Sequence, residues 1–220
     1  VRNINIAFDT SKLHIAVFGG STTYDVGVSS DSHTWVSRLQ EFLPKYTFSN
    51  NGVPGYSTAE NVVQTAFYPD RGGTMPVCSV YYIGWNDIRN FGILELDNGY
   101  ANFHLPSQYG NLKVRASINS PSPVINILYA YFARSELPFP TYRGDLRTNV
   151  ASNHRIFDIV ERNLNSIVSI NDSRGIKTVF VAQMLNTERL ANSSHLYSEW
   201  IPYVLLSDLW KLQERFNTFI

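Results

Sequence analysis

Three apolar, β-rich runs, each cut off by a tight polar loop and each separated from the next by helical periodicity, constrain this chain to an open parallel sheet. His14-Ile-Ala-Val-Phe18 runs into Gly19-Gly-Ser-Thr22. Tyr46-Thr-Phe-Ser49 runs into Asn50-Asn-Gly-Val-Pro-Gly55. Val77-Cys-Ser-Val-Tyr-Tyr-Ile83 runs into Gly84-Trp-Asn-Asp87. In such a sheet the loops at the carboxyl ends of the strands share one edge, and ligands bind there. A serine, a glycine-rich amide turn and an asparagine are therefore expected to meet. Those are the parts of an acyl-transfer site, a nucleophile with donors for an oxyanion.

Between and after these runs the pattern alternates. Trp35, Val36, Leu39, Phe42 and Leu43 predict a first helix over Thr34 to Leu43, stopped by Pro44. Ser57-Thr-Ala-Glu60 reads as a capping box that opens a second helix, with Ala59, Val62, Val63, Ala66 and Phe67 as its apolar face. The pattern is lost from Ile88 to Gly144, a stretch too long for a plain connection. It reads as an insertion over the site edge. Regularity resumes at Asp145, a candidate N-cap. A long amphipathic helix follows through Val150, Ile156, Phe157, Val160, Leu164, Ile167 and Val168, ending at Gly175. A fourth strand is expected at Lys177–Ala182, then a loop over 183–198 and a last helix through Trp200, Tyr203, Val204, Trp210, Leu212 and Phe216. The whole reads as one α/β domain over residues 1–220.

Ser21 follows two glycines at a strand end, so its hydroxyl and its own N–H can face one spot. Alone, Gly-Gly-Ser-Thr equally suits a phosphate-cradling turn. Gly55 offers an N–H just before the capped helix, where the dipole favours developing negative charge. Asn86 offers a side-chain amide. Together, Gly-Gly-Ser21-Thr, Asn-Gly-Val-Pro-Gly55 and Gly84-Trp-Asn86-Asp87 resemble the SGNH hydrolase (GDSL-like esterase/lipase) superfamily, closely over about residues 12–90 and by topology alone over 145–220. The resemblance implies a three-layer, flavodoxin-like parallel sheet with helices on both faces. It implies Ser21 as nucleophile, and Gly55 with Asn86 completing the oxyanion hole, Gly52 being the second choice for the glycine. Gly20 stands where the family motif carries Asp.

The family's Asp-x-x-His block has no match here. The sheet also reads as unfinished, four strands followed by a helix. The expectation is therefore a fragment, with the C-terminal strand and catalytic loop, and the Asp/His pair on it, in a missing segment or a second polypeptide. The start at Val1, without Met or a signal-peptide pattern, is that of a mature or trimmed product. Of the histidines in the chain, His14, His33, His104 and His154 read as structural or surface groups. His195 is the fallback base, because its loop follows the fourth strand. Asp87 is expected to brace the Asn86 loop, and Asp25 and Arg89 to line the pocket or brace loops.

The expected function is hydrolysis of carboxylic esters through an acyl-enzyme, with small-acyl or O-acetyl esters favoured by the polar, aromatic insertion. Rivals are a non-enzymatic glycan-binding module, an acyltransferase on the same scaffold, and a phosphate-binding flavodoxin-like domain that leaves Asn86 without a role. A net charge of zero gives no reason to expect nucleic acid. Carboxylates without ligand spacing predict no metal, and no cofactor is called for. The single Cys78, inside an apolar run, reads as a buried inert thiol. No run is long enough to cross a bilayer. Asn171-Asp-Ser and Asn192-Ser-Ser match the N-glycosylation spacing.

Overall fold

The computed structural model describes residues 8–67, 70, 73–88, 125, 155–192 and 206–220. Four parallel strands form one sheet: β1 (Leu13–Gly19), β2 (Tyr46–Asn50), β3 (Cys78–Tyr82) and β4 (Lys177–Phe180), in the order β2-β1-β3-β4. β1 is central, with Ile15 opposite Phe48 on one side and Cys78 on the other. The helices are α1 (Ser21–Tyr24), α2 (Trp35–Phe42), α3 (Thr58–Phe67), α4 (Trp85–Ile88), α5 (Arg155–Asp172), α6 (Thr187–Ala191) and α7 (Leu206–Asn217). The short helices α1, α4 and α6 lie in segments that the sequence pattern reads as loops.

Successive residues of a strand face opposite sides, and β1 supplies both cores. Ala16 and Phe18, with Tyr81 of β3, face Ile156, Val160, Leu164 and Ile167 of α5 and Leu209, Leu212 and Phe216 of α7. Val17 and Phe48 face Val36 on the other side, with Leu39 and Trp35 packed around them. Helices thus cover both faces of an α/β sheet in three layers. Each large apolar side chain so buried contributes about 1.5–3 kcal/mol.

Local signals place the helix starts. Thr34 Oγ1 accepts from Ser37 N at 3.2 Å and caps α2. At α3 the capping box forms as its sequence predicts: Glu60 Oε2 accepts from Ser57 N at 2.9 Å, and Ser57 Oγ accepts from Ala59 N at 3.3 Å. α5 ends with Gly175 at φ 69°.

The faces differ from the sequence expectation in three places. Phe42, in the last turn of α2, is 78% exposed. Phe67 is 72% exposed, and α3 instead buries Thr58, Ala59, Asn61, Gln64 and Thr65. That polar face is stable because it is hydrogen-bonded: Gln64 Nε2 donates to Asn51 O at 2.9 Å, and Thr65 Oγ1 pairs with the Tyr81 hydroxyl at 2.8 Å. Asn171 is fully buried, its amide donating to the Tyr81 hydroxyl at 3.1 Å and Thr178 Oγ1 at 2.9 Å. A glycan cannot be attached there. Asn192, by contrast, is exposed.

The proposed insertion (apart from Ile88 and Ile125), Asp145, Val150 and the start of the last helix lie outside the described residues. Among those described, no helix is long and apolar enough to cross a membrane.

Candidate active site

The three strand-end loops meet. Asn50, at the end of β2, is fully buried and reaches across to α1, its Nδ2 donating to Thr23 O at 2.8 Å. Asn51 N donates to Val17 O at 2.7 Å and Val53 N to Gly19 O at 3.0 Å, so the second loop is stitched to the first. The third loop joins through Asn86, whose Nδ2 donates to Tyr56 O at 2.7 Å. A Cβ added at Gly20 would lie only 2.6 Å from that same Nδ2. A glycine directly before Ser21 is what lets the asparagine amide approach this closely.

Ser21 opens α1 and is half-buried, its carbonyl accepting from Asp25 N at 2.9 Å and Val26 N at 3.2 Å. Its turn is clamped from three sides. Thr23 Oγ1 donates to Tyr82 O at 3.1 Å, Trp35 Nε1 donates to Thr22 O at 3.0 Å, and Asn50 holds Thr23 O. Asp25, in the left-handed region at φ 64°, closes α1 and accepts from Trp35 N at 2.9 Å. Asp25 is thus a brace of this turn.

Gly55 is exposed, with φ +86°, one residue before the Tyr56 carbonyl that seats Asn86. Gly52, the other glycine of that loop, is buried and its amide is used on Asn50 Oδ1 at 2.9 Å. Asn86 is 4% exposed at the start of α4. Asp87 is fully buried and accepts from Thr58 N at 3.0 and 3.1 Å and from Thr58 Oγ1 at 2.6 Å. It braces the loop, as its sequence position suggests. Asn86 thus lies against Gly20, the residue before Ser21, and against Tyr56, the residue after Gly55.

The two described histidines are engaged in structural contacts. His14, at the start of β1, contacts Thr74 O at 3.0 Å and Ser49 Oγ at 2.8 Å. Its Nδ1 therefore donates to the Thr74 carbonyl. His33 contacts Ser29 Oγ at 3.3 Å. His104, His154, His195 and Arg89 lie outside the described residues. Cys78 is half-buried where the sequence predicts full burial, and desolvation raises its thiol above the ordinary range despite nearby Lys177. Among the described residues no three His, Cys, Asp or Glu side chains gather. A groove of about 850 Å³, lined by Val62, Asp158, Asn165 and Ser169 among others, contains none of the strand-end residues.

Thr23, Trp35, Asn50, Thr58 and Asn163 join the site only in three dimensions. The readable signal for two of them was a polar residue where an apolar one belongs: Asn50 ends an apolar run, and Asn163 sits at i+3 from Val160 on a core-facing stripe.

No family model and no curated protein sequence matches this chain. Among solved structures it is similar to AlinE4, an SGNH-hydrolase family esterase, at 18% identity over 86% of this chain and 84% of that one, with a TM-score of 0.38. It is similar to a member of the lipolytic G-D-S-L family from Veillonella parvula at 14% identity, over 94% and 97% of the two chains, TM-score 0.33. The lipase/acylhydrolase from Enterococcus faecalis gives 15% identity over 92% and 96%, TM-score 0.34.

Proposed function

We propose that this chain hydrolyses carboxylic esters, small acyl groups such as O-acetyl being favoured. Ser21 Oγ attacks the acyl carbonyl and a histidine takes its proton. The N–H groups of Ser21 and Gly55 and the second amide proton of Asn86 hold the tetrahedral oxyanion. Collapse releases the alcohol, which takes the proton from the histidine, and leaves acyl-Ser21. Water, deprotonated by the same histidine, then attacks the acyl carbon, and collapse frees the acid as the histidine returns the proton to Ser21 Oγ. The base comes from outside the described residues, on further sequence or a second polypeptide, with His195 as the candidate within this chain.

The observation that carries this reading is the meeting of Gly20, Tyr56 O and Asn86 Nδ2. It sets an amide donor directly beside the residue that precedes a strand-end serine. The polar, aromatic composition of residues 88–144 favours small esters over long-chain lipid.

The test is labelling with a serine-directed organophosphonate and peptide mapping. The expected adduct is on Ser21, and Ser21→Ala is expected to lose both labelling and turnover. An adduct on another residue would overturn the assignment. His195→Ala in an active preparation separates the sources of the base, since retained activity excludes that histidine.

A further inference from the structure

We infer that Asn163, on α5, is a positioning residue for the Asn86 donor, acting through Thr58 and Asp87. The inference rests on the ester-hydrolase reading for its catalytic consequence and on hydrogen-bond geometry for its existence.

Residues 86 and 87 grip residues 56 to 58 at two rungs. On the first, Asn86 Nδ2 donates to Tyr56 O at 2.7 Å. On the second, the Asp87 carboxylate accepts from Thr58 N at 3.0 and 3.1 Å and from Thr58 Oγ1 at 2.6 Å. The two rungs lie side by side on the chain. The second therefore sets the orientation of α4, and with it the direction of the remaining amide proton of Asn86. The carboxylate also meets the first turn of α3, where N–H groups without an intrahelical partner favour negative charge.

Asn163 Nδ2 donates to Thr58 Oγ1 at 2.9 Å, across 105 residues of chain. The direction of this chain of bonds is forced. An amide nitrogen only donates and a carboxylate only accepts, so the Thr58 hydroxyl accepts from Asn163 and donates to Asp87. Bonds aligned in one direction polarise one another. Asp87 and Thr58 are fully buried and Asn163 is 5% exposed, so water cannot replace the lost partner. Asn163 occupies a core-facing position of α5 beside Val160, Leu164 and Ile167, where apolar packing would otherwise favour a hydrophobic side chain. A polar residue held there at this cost is explained by the bond it donates.

The test uses the full chain, with Asn163→Leu to keep volume and remove the donor, and Thr58→Val to cut the relay at its centre while leaving the Thr58 N–H. With p-nitrophenyl acetate, each is expected to lower kcat about tenfold with KM within about twofold, short of the 10²–10³ that complete loss of an oxyanion donor costs. The double variant is expected to be no worse than the poorer single one, as for two cuts in one relay. Folded variants with unchanged kcat, or with only KM raised, would overturn the inference, and Thr58→Val decides if Asn163→Leu does not fold. A wild-type chain that neither turns over ester nor takes phosphonate at Ser21 would sink the proposed function alone. The relay would then be judged by NMR of the Asn86 side-chain amide: a resonance shifted in both variants supports it, an unmoved one refutes it.

Discussion

Gly20 is where a single atom decides the site. The constraint there is contact, because its neighbours leave no room for a Cβ. A methyl group there would stand 2.6 Å from Asn86 Nδ2 and 3.3 Å from Tyr56 O. The asparagine is the end of a side chain and can give way, but only by leaving the Tyr56 carbonyl. Gly20→Ala is therefore expected to fold, with its thermal midpoint near that of the wild type, and to lose about 10–10² in kcat through misplacement of one oxyanion donor. Stopped assays with a chromogenic ester, beside a melting curve, measure both. A Gly20→Ala variant with wild-type kcat would remove Asn86 from the oxyanion hole.

Among the elements, α3 carries the most information. Its start follows from local chemistry alone, since Glu60 Oε2 accepts from Ser57 N and Ser57 Oγ accepts from Ala59 N within four residues. Ser57→Ala is expected to cost about 1 kcal/mol, a fall in Tm of about 3 °C for a chain of this size, read by calorimetry. Its buried face could not be read the same way. Of the expected apolar stripe Ala59, Val62, Val63, Ala66 and Phe67, Ala59 is buried and Val62 packs against the core, yet Phe67 is exposed and Thr58, Asn61, Gln64 and Thr65 turn inward. Partners from β3, α4, α5 and the loop after β2 bond Thr65, Thr58 and the Gln64 amide nitrogen of this stripe, and none of those is close in sequence to α3 except the last. Arg174, beyond α5, completes the arrangement by donating to the Thr65 and Ala66 carbonyls at the C-terminal end of α3.

Across the molecule, a buried polar core runs between the sheet and the helices α3 and α5. Tyr81 lies at its centre, its hydroxyl bonded to Thr65 and Asn171 and its ring stacked on Phe18 at 5.0 Å. Burial holds the Tyr81 phenol above the ordinary tyrosine range, with those hydrogen bonds pulling it part of the way back. The folded chain thus keeps this proton at a pH where the unfolded chain releases it. The resulting stabilisation is complete below about pH 10, the ordinary tyrosine value, and is lost as pH rises through the raised one. Tyr81→Phe is expected to be less stable at pH 7 by about 1 kcal/mol for its lost hydrogen bonds. It should also lose less stability than the wild type above about pH 10. Urea midpoints across that range test the sign, and equal alkaline losses in the two proteins would refute it.

Strand order along the chain, the starts of α2 and α3 and the three loops were legible in the amino-acid pattern, because periodicity, caps and glycine turns act over a few residues. So were Ser21, Gly55 and Asn86 as candidates, and Asp87 as a brace. The partners of the loops were not. Asn50 reaching Thr23, Trp35 reaching Thr22, and Asn163 reaching Thr58 join segments from 13 to 105 residues apart. Hydropathy assigns the two asparagines to the surface by default, and their burial becomes favourable only once the fold supplies a hydrogen-bond partner. Local chemistry thus chose the elements and their ends, while the remote hydrogen-bond partners chose which face of α3 turns inward and how firmly Asn86 is held.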